Sequence, residues 1–306
     1  MASDTFEFNP DDYEIAVRLD KVLAARFAEL SRTQVQQLIK DEEVLVNNKP
    51  SKPAYKLEPA DIVWIKLPPP EEEYEIIPED IPLDVLFEDE HIAVINKPSG
   101  MVVHPAHGNT DGTLVHALMA RYKNLPLLED DQTRAGIVHR LDKDTSGVIV
   151  VALNDASRDD LLMQFKNRTI EKHYLALTDN HPPNDRGIID APIGRDPKQR
   201  KRMAVMRDGR EAVTEFSVRT LYKEHALLDA HPVTGRTHQI RVHLAFINCP
   251  IVGDRVYGYR KQRINMKRLF LHAYRITLDH PATGERLTVE APLPVGLQNL
   301  LDKLSS

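Results

Sequence analysis

The densest cluster of reactive side chains is HRLDKDTSG, residues 139–147, directly ahead of the apolar run VIVVAL (148–153). It sets two carboxylates, Asp142 and Asp144, two positions apart among basic neighbours. A carboxylate at the mouth of a buried strand suits nucleophilic or proton-transfer chemistry. It would protonate there unless a fixed cation held it ionised. Thr145 and Gly147 beside Asp144 suit that residue to loop capping. Other chemistries lack their parts. There is no GxxxxGK[ST] phosphate loop, no GxGxxG after a strand and no HExxH helix. His238 and His243 lie five apart, off a shared helical face, and the single cysteine, Cys249, excludes a disulfide framework or a multi-cysteine zinc site. No metal is expected.

Asp142-Lys-Asp144 has the spacing of the nucleophile loop of haloacid-dehalogenase phosphatases. Here, however, His139 and Arg140 interrupt the preceding strand, and Ser146 stands where that loop has Thr or Val. HRLDKDTSG instead resembles, letter for letter, the segment around the catalytic aspartate of the RluA-type pseudouridine synthases. Further segments match that family in order: NKPSGMVVHP (96–105), EKHYLAL (171–177), TGRTHQIRVHL (234–244) and LFLHA (269–273). The resemblance covers roughly residues 80–295. The extended VVHPAHGN–DGT segment is most similar to the RluD-like members, which act on large-subunit ribosomal RNA.

That resemblance implies isomerisation of uridine: an N-glycosidic bond breaks, the base turns, and a C–C bond forms to the same sugar. Nothing is oxidised, so no cofactor is expected. The reaction needs a carboxylate able to attack the anomeric carbon or the uracil ring, and the resemblance assigns this to Asp142. It pairs Arg241 with that aspartate, in a planar two-pronged grip that a lysine would not reproduce. It stacks Tyr174 on the uracil with its phenol near the ring proton, places Arg140 around the flipped nucleotide, makes Leu271 an apolar wall and includes Lys172 in the Lys-x-Tyr element. Taken alone, Tyr174 reads as a core tyrosine and Arg241 as a structural ion pair. His139, Lys143 and Ser146 are expected to shape the loop.

The elements that must position these residues divide at 68–80, PPPEEEYEIIPED, an acidic, proline-stiffened linker. Ahead of it, 15–67 reads as helix, helix, strand, turn, strand. Leu19, Val22, Leu23, Phe27 and Leu30 hold helical spacing, and Ser31 with Gln34 forms a capping box before Val35, Leu38 and Ile39. This order resembles the alpha-L (S4-like) RNA-binding module, which presents its second helix to structured RNA; Arg32 and Lys40 lie on or near that helix. Residues 81–306 form the catalytic domain. Strands are predicted at 92–95, 148–153, 173–177, 214–221 and 269–278, and helices at 113–122 and 155–168. Strands outnumber helices without a regular repeat, so the expected fold is α+β, with a mixed, mainly antiparallel sheet and flanking helices.

The net charge of −6 conceals a polarised chain. Residues 1–14 and 68–80 hold eleven acids and no bases, which leaves +5 on the rest. Residues 195–210 carry seven bases against two acids; 255–268 carry six bases and no acids, with Tyr257 and Tyr259 interleaved. Two such runs with stacking groups point to a polyanion surface. The acidic amino terminus lacks signal-peptide character and no apolar run spans a membrane. A cytoplasmic, cofactor-free enzyme acting on ribosomal RNA, with no obligate protein partner, is expected. The alternatives are a synthase acting on transfer RNA or another RNA, and a non-catalytic ribosome-assembly factor.

Overall fold

The computed structural model describes residues 4–68, 76–105, 108–126, 134–197, 199 and 202–306. The chain divides into two compact units, residues 1–73 and 74–306. Of the linker segment, residues 69–75 lie outside the described residues. Residues 76–80 belong to the second unit: Ile76 packs on its core, and the Glu79 amide donates to the His116 carbonyl at 3.1 Å.

In the first unit, strand β1 (Thr5–Phe8) precedes helices α1 (Leu19–Arg26) and α2 (Arg32–Lys40), followed by strands β2 (Val44–Val46), β3 (Lys49–Pro50) and β4 (Val63–Lys66). The strands form an antiparallel sheet in the order β1-β4-β2-β3. Thus a piece of the acidic amino terminus, upstream of the periodic region, completes the sheet. Ser31 caps α2: its hydroxyl accepts the Gln34 amide at 3.3 Å, and Gln34 Oε1 accepts the Ser31 amide at 2.7 Å. Such a cap is worth about 1 kcal/mol. Leu19, Leu23, Val35 and Ile39 close against Val44, Val63 and Ile65.

The second unit is built on a nine-stranded sheet. Strands β5 (Val85–Glu88), β6 (Ile92–Lys97) and β7 (Ser146–Ala152) fill one side, with helices α3 (Leu114–Arg121) and α4 (Asp155–Asn167) between and after them. The chain continues through β8 (Glu171–Asp179), β9 (Arg186–Asp190), a small hairpin β10 (Ile193–Arg195) and β11 (Met203–Val205), then β12 (Val213–Leu221) and β13 (His225–Pro232). Helix α5 (Gln239–Phe246), strands β14 (Leu271–Asp279) and β15 (Arg286–Glu290), and helix α6 (Val295–Ser305) complete it. The sheet order is β5-β6-β7-β14-β8-β13-β12-β9, with β15 also on β14. Among these pairings only β7 with β14 is parallel. The fold is α+β on a mixed, mainly antiparallel sheet.

Strand β7 shows why an unbroken apolar run is needed. Ile149 and Val151 enter one core, while Val148, Val150 and Ala152 enter the other, under α4. Successive side chains of a strand point to opposite faces, so a strand buried on both faces must be apolar throughout. Each fully buried Val or Ile contributes ~1.5–3 kcal/mol.

At its start, β7 touches β14 backbone to backbone. Gly147 sits at φ +114°, and a Cβ there would lie 2.0 Å from the Ala273 carbonyl oxygen. Only glycine permits this approach. Gly147→Ala is therefore expected to cost about 3 kcal/mol or more through strain and overlap. Chemical denaturation of the two proteins checks this.

Candidate active site

Two distant segments brace the loop carrying Asp142. The Thr145 amide closes the turn on the Asp142 carbonyl at 3.1 Å. From NKPSG, the Gly100 amide donates to the Lys143 carbonyl at 2.8 Å and the Ser99 hydroxyl to the Asp144 carbonyl at 2.8 Å. Fully buried Lys97 donates to the carbonyls of Pro98 and Met101, both at 2.8 Å, and of Lys143 at 3.3 Å. Burial pulls the Lys97 ammonium down to about 7, and the negative Asp142 opposes that fall. From the segment before β14, Arg268 Nη2 donates to Ser146 Oγ at 2.8 Å, and Ser146 Oγ also bonds His272 Nδ1 at 2.9 Å. His139 Nε2 accepts the Val150 amide at 2.9 Å, while burial lowers its ring to about 3. His139 and Ser146 thus form bonds within the loop's scaffold.

Asp142 opens into a cavity of about 480 Å3. Arg140, Lys172, Tyr174, Arg241 and Leu271 line it as well, so six of the eight residues singled out from the sequence surround one space. The register explains this. Tyr174 on β8 pairs with Ala273 of β14 and Ala230 of β13, and Leu271 pairs with Ala176, two positions along β8 on the same face. The other two residues are in the first unit. Arg32 Nη2 bonds the enclosed Asp20 at 3.0 Å, and Lys40 is exposed at the end of α2.

Helix α5 enters this site with polar residues buried on several sides. Gln239 Nε2 donates to the Val213 carbonyl at 2.9 Å, and His243 bonds Thr214 Oγ1 and the Ala191 carbonyl, both at 2.9 Å. These bonds fix the helix on β12 and leave Arg241 facing Asp142. Arg241 Nη1 donates to Asp142 Oδ2 at 3.3 Å. The two-pronged grip expected on Asp142 goes elsewhere: Nε and Nη2 hold Asp254 at 2.7 and 3.0 Å. Burial opposes the charge of Arg241, but the bonds to Asp254, and then the charge of Asp142, outweigh it and hold the guanidinium above its ordinary value.

Tyr174 is pushed well above the usual phenol range, first by burial and then by the charge of Asp142. It is a neutral hydrogen-bond donor at any physiological pH. Lys172 is lowered to about 8 by burial, with its ammonium 5.8 Å from the Phe165 ring centre. Among the described residues, Asp142 is the single acid on the cavity wall, against Arg140, Lys166, Arg168, Lys172, Arg236 and Arg241.

Lys97, His238, Asp254 and Tyr257 also build this site, and sequence reasoning gave them no role in it. Tyr257 was expected as an exposed stacking group; it is 8% exposed, against 40% for Tyr259, because its ring lies against Arg241. The signal for Asp254 was its place as the acid that opens an otherwise basic run.

The sequence pattern of the RNA pseudouridylate synthase family matches residues 91–246, and that of the S4 domain matches 17–63. The chain belongs to the RNA pseudouridylate synthase family and is an RNA-modifying isomerase with an amino-terminal S4 domain. It is 46% identical over 287 residues to an uncharacterized RNA pseudouridine synthase of Bacillus subtilis (strain 168), covering 94% of each chain. It is 42% identical to the ribosomal large subunit pseudouridine synthase D of Xanthomonas campestris pv. campestris, covering 94% of this chain and 88% of that one. Among solved structures, human RNA pseudouridylate synthase domain containing 4 superposes with a TM-score of 0.58 at 29% identity, covering 72% of this chain and 93% of that one.

Removing the shared cation tests the geometry. Arg241→Met leaves two carboxylates without their partner and is expected to cost ~3–5 kcal/mol. Adding Asp254→Asn should recover more of that loss than adding Asp142→Asn, since Asp254 is the fully enclosed partner. Thermal unfolding of the single and double variants measures the coupling; strictly additive effects would mean that the three side chains do not interact.

Proposed function

We propose that this enzyme converts uridines of large-subunit ribosomal RNA to pseudouridine in the cytoplasm, with Asp142 as the catalytic carboxylate. The observation that carries the reading is the cavity itself: one carboxylate, with a cation on its Oδ2, in a wall otherwise rich in cations. A nucleotide brings phosphates for those cations and a sugar and base for the carboxylate. The target is supported by the 41–42% identity, over 94% of this chain, to proteins named ribosomal large subunit pseudouridine synthase D.

In the proposed reaction the N1–C1′ bond breaks, the detached uracil turns, and C5 bonds to C1′. The proton leaves C5, and N1 gains one, so atoms balance. Asp142 attacks the sugar or the ring and is later released. Tyr174 lies against the base with its phenol protonated, able to donate towards the ring but a poor base by itself. Leu271 and the strand backbone close the apolar side, while Arg140 fills the space a flipped nucleotide leaves. Flipping costs a few kcal/mol of unstacking, which these contacts offset. Lys172, on the cavity wall, contacts the phosphodiester. Arg32 and Lys40 on α2 contact structured RNA.

Asp142→Asn keeps the size and removes the attacking charge. Tritium release from RNA labelled at uracil C5 should fall to background while RNA binding persists; Asp144→Asn should lose far less. Turnover by pure Asp142→Asn protein would sink the assignment.

Deleting residues 1–75 tests the S4 domain. The remaining unit keeps its own core and should stay folded, while affinity for large structured RNA drops through lost phosphate contacts and effective concentration. Unchanged binding to full-length ribosomal RNA would give the domain another role.

A further inference from the structure

Arg241 stands between two carboxylates and binds more closely the one outside the cavity. Asp254 takes one whole edge of the guanidinium, Nε and Nη2, and leaves Nη1 for Asp142. The Asp254 side chain is 0% exposed and is absent from the cavity wall. Its Oδ1 also accepts the amides of Val256 and Tyr257 at 2.8 and 3.0 Å. The carboxylate is therefore locked to its own backbone turn and has no freedom to follow the arginine; the arginine must follow it.

The same turn brings Tyr257 under the arginine, with Cζ 5.1 Å from the ring centre. The Tyr257 hydroxyl accepts the Met203 amide at 2.9 Å and bonds His238 Nδ1 at 2.8 Å. His238 Nε2 in turn lies 4.0 Å from Asp142 Oδ2. One short segment, 254–257, thus contacts both Arg241 of α5 and His238 just ahead of it, the two groups that face Asp142.

We propose that Asp254 is a positioning residue for the isomerisation, fixing the plane of Arg241 so that a single nitrogen meets a single oxygen of Asp142. The inference rests on Asp142 being the catalytic carboxylate. A guanidinium free to turn would bind Asp142 edge-on, with two parallel bonds that occupy both oxygens. With Nε and Nη2 held by Asp254, Nη1 alone meets Oδ2, and Oδ1 stays available to the reacting atom. The cation's charge is also shared, so it neutralises Asp142 less completely than a two-pronged pair would. Asp254 contacts no substrate; it acts through Arg241.

Two substitutions separate placement from charge. Asp254→Asn keeps volume and loses charge; Asp254→Glu keeps charge and moves the carboxylate by one methylene. Both should lower kcat on the order of 10²-fold, as a misplacement of about 1 Å does, with KM and RNA affinity unchanged. Wild-type kcat in Asp254→Asn overturns the proposal. So does wild-type kcat in Asp254→Glu, which would make charge alone the requirement. A fall in thermal stability with kcat intact overturns it as well.

A measurement on the wild-type chain and on Asp142→Asn needs no Asp254 variant to fold. The Arg241 Nε–H resonance, assigned by its loss in Arg241→Lys, should exchange slowly with solvent in both proteins, because Asp254 holds it. Fast exchange in Asp142→Asn would show that Asp142 holds the arginine, and the proposal would fall. The two readings fail separately. Turnover by Asp142→Asn removes the catalytic assignment. An inert Asp142→Asn beside fully active Asp254 variants removes only the positioning role.

Discussion

One guanidinium between two carboxylates is the constraint around which the catalytic unit is arranged. Taking three charges out of water costs several kcal/mol per ion, and only tight geometry with further hydrogen bonds compensates. Asp254 meets that demand with Arg241 and two backbone amides. Arg241 meets it from the middle of a helix whose flanking Gln239 and His243 are themselves fully bonded to β12 and its neighbours. The polar groups of α5 are buried because each has a partner. Asp142, 18% exposed, keeps a single longer bond and an open side.

The loop carrying Asp142 is held in the same way, by bonds from outside its own sequence. Its carbonyls at Lys143 and Asp144 accept from Lys97, Gly100 and Ser99, and Ser146 accepts from Arg268. Gly147 lets β7 approach β14 closely enough for the loop to start at the sheet surface. These bonds hold the loop, and with it Asp142, on the segments around Lys97 and Arg268.

Burial tunes the remaining groups in opposite directions. The same desolvation keeps the Tyr174 phenol neutral and brings Lys172 down to about 8, since it disfavours whichever form is charged. The cavity thus offers a neutral phenol beside a carboxylate, with cations spread around them. Tyr259 remains exposed beside the basic residues of 255–268, while Tyr257 serves the interior.

The sequence alone determined the strands and helices whose burial pattern is local. The 3.6-residue spacing of α1 and α2, the Ser31 cap and the unbroken apolar run of β7 each follow from what neighbouring residues must do. Its resemblance to the pseudouridine synthases also placed HRLDKDTSG, Lys-x-Tyr and HQIRVHL in one family, whose pattern matches residues 91–246. Which edge of Arg241 faces which acid was not visible. Asp142 and Asp254 lie 99 and 13 residues from it, and a choice between two carboxylates depends on distances that only the folded chain creates. Tyr257 shows the same limit. An aromatic among bases reads as a stacking surface until the tertiary structure turns it inward beneath a cation. Thr5–Phe8 joins its sheet by pairing with Val63–Lys66, a contact whose stabilisation exists only once the distant strand is in place. Local periodicity is written in the chain; the pairing of distant charges and edges is decided by packing.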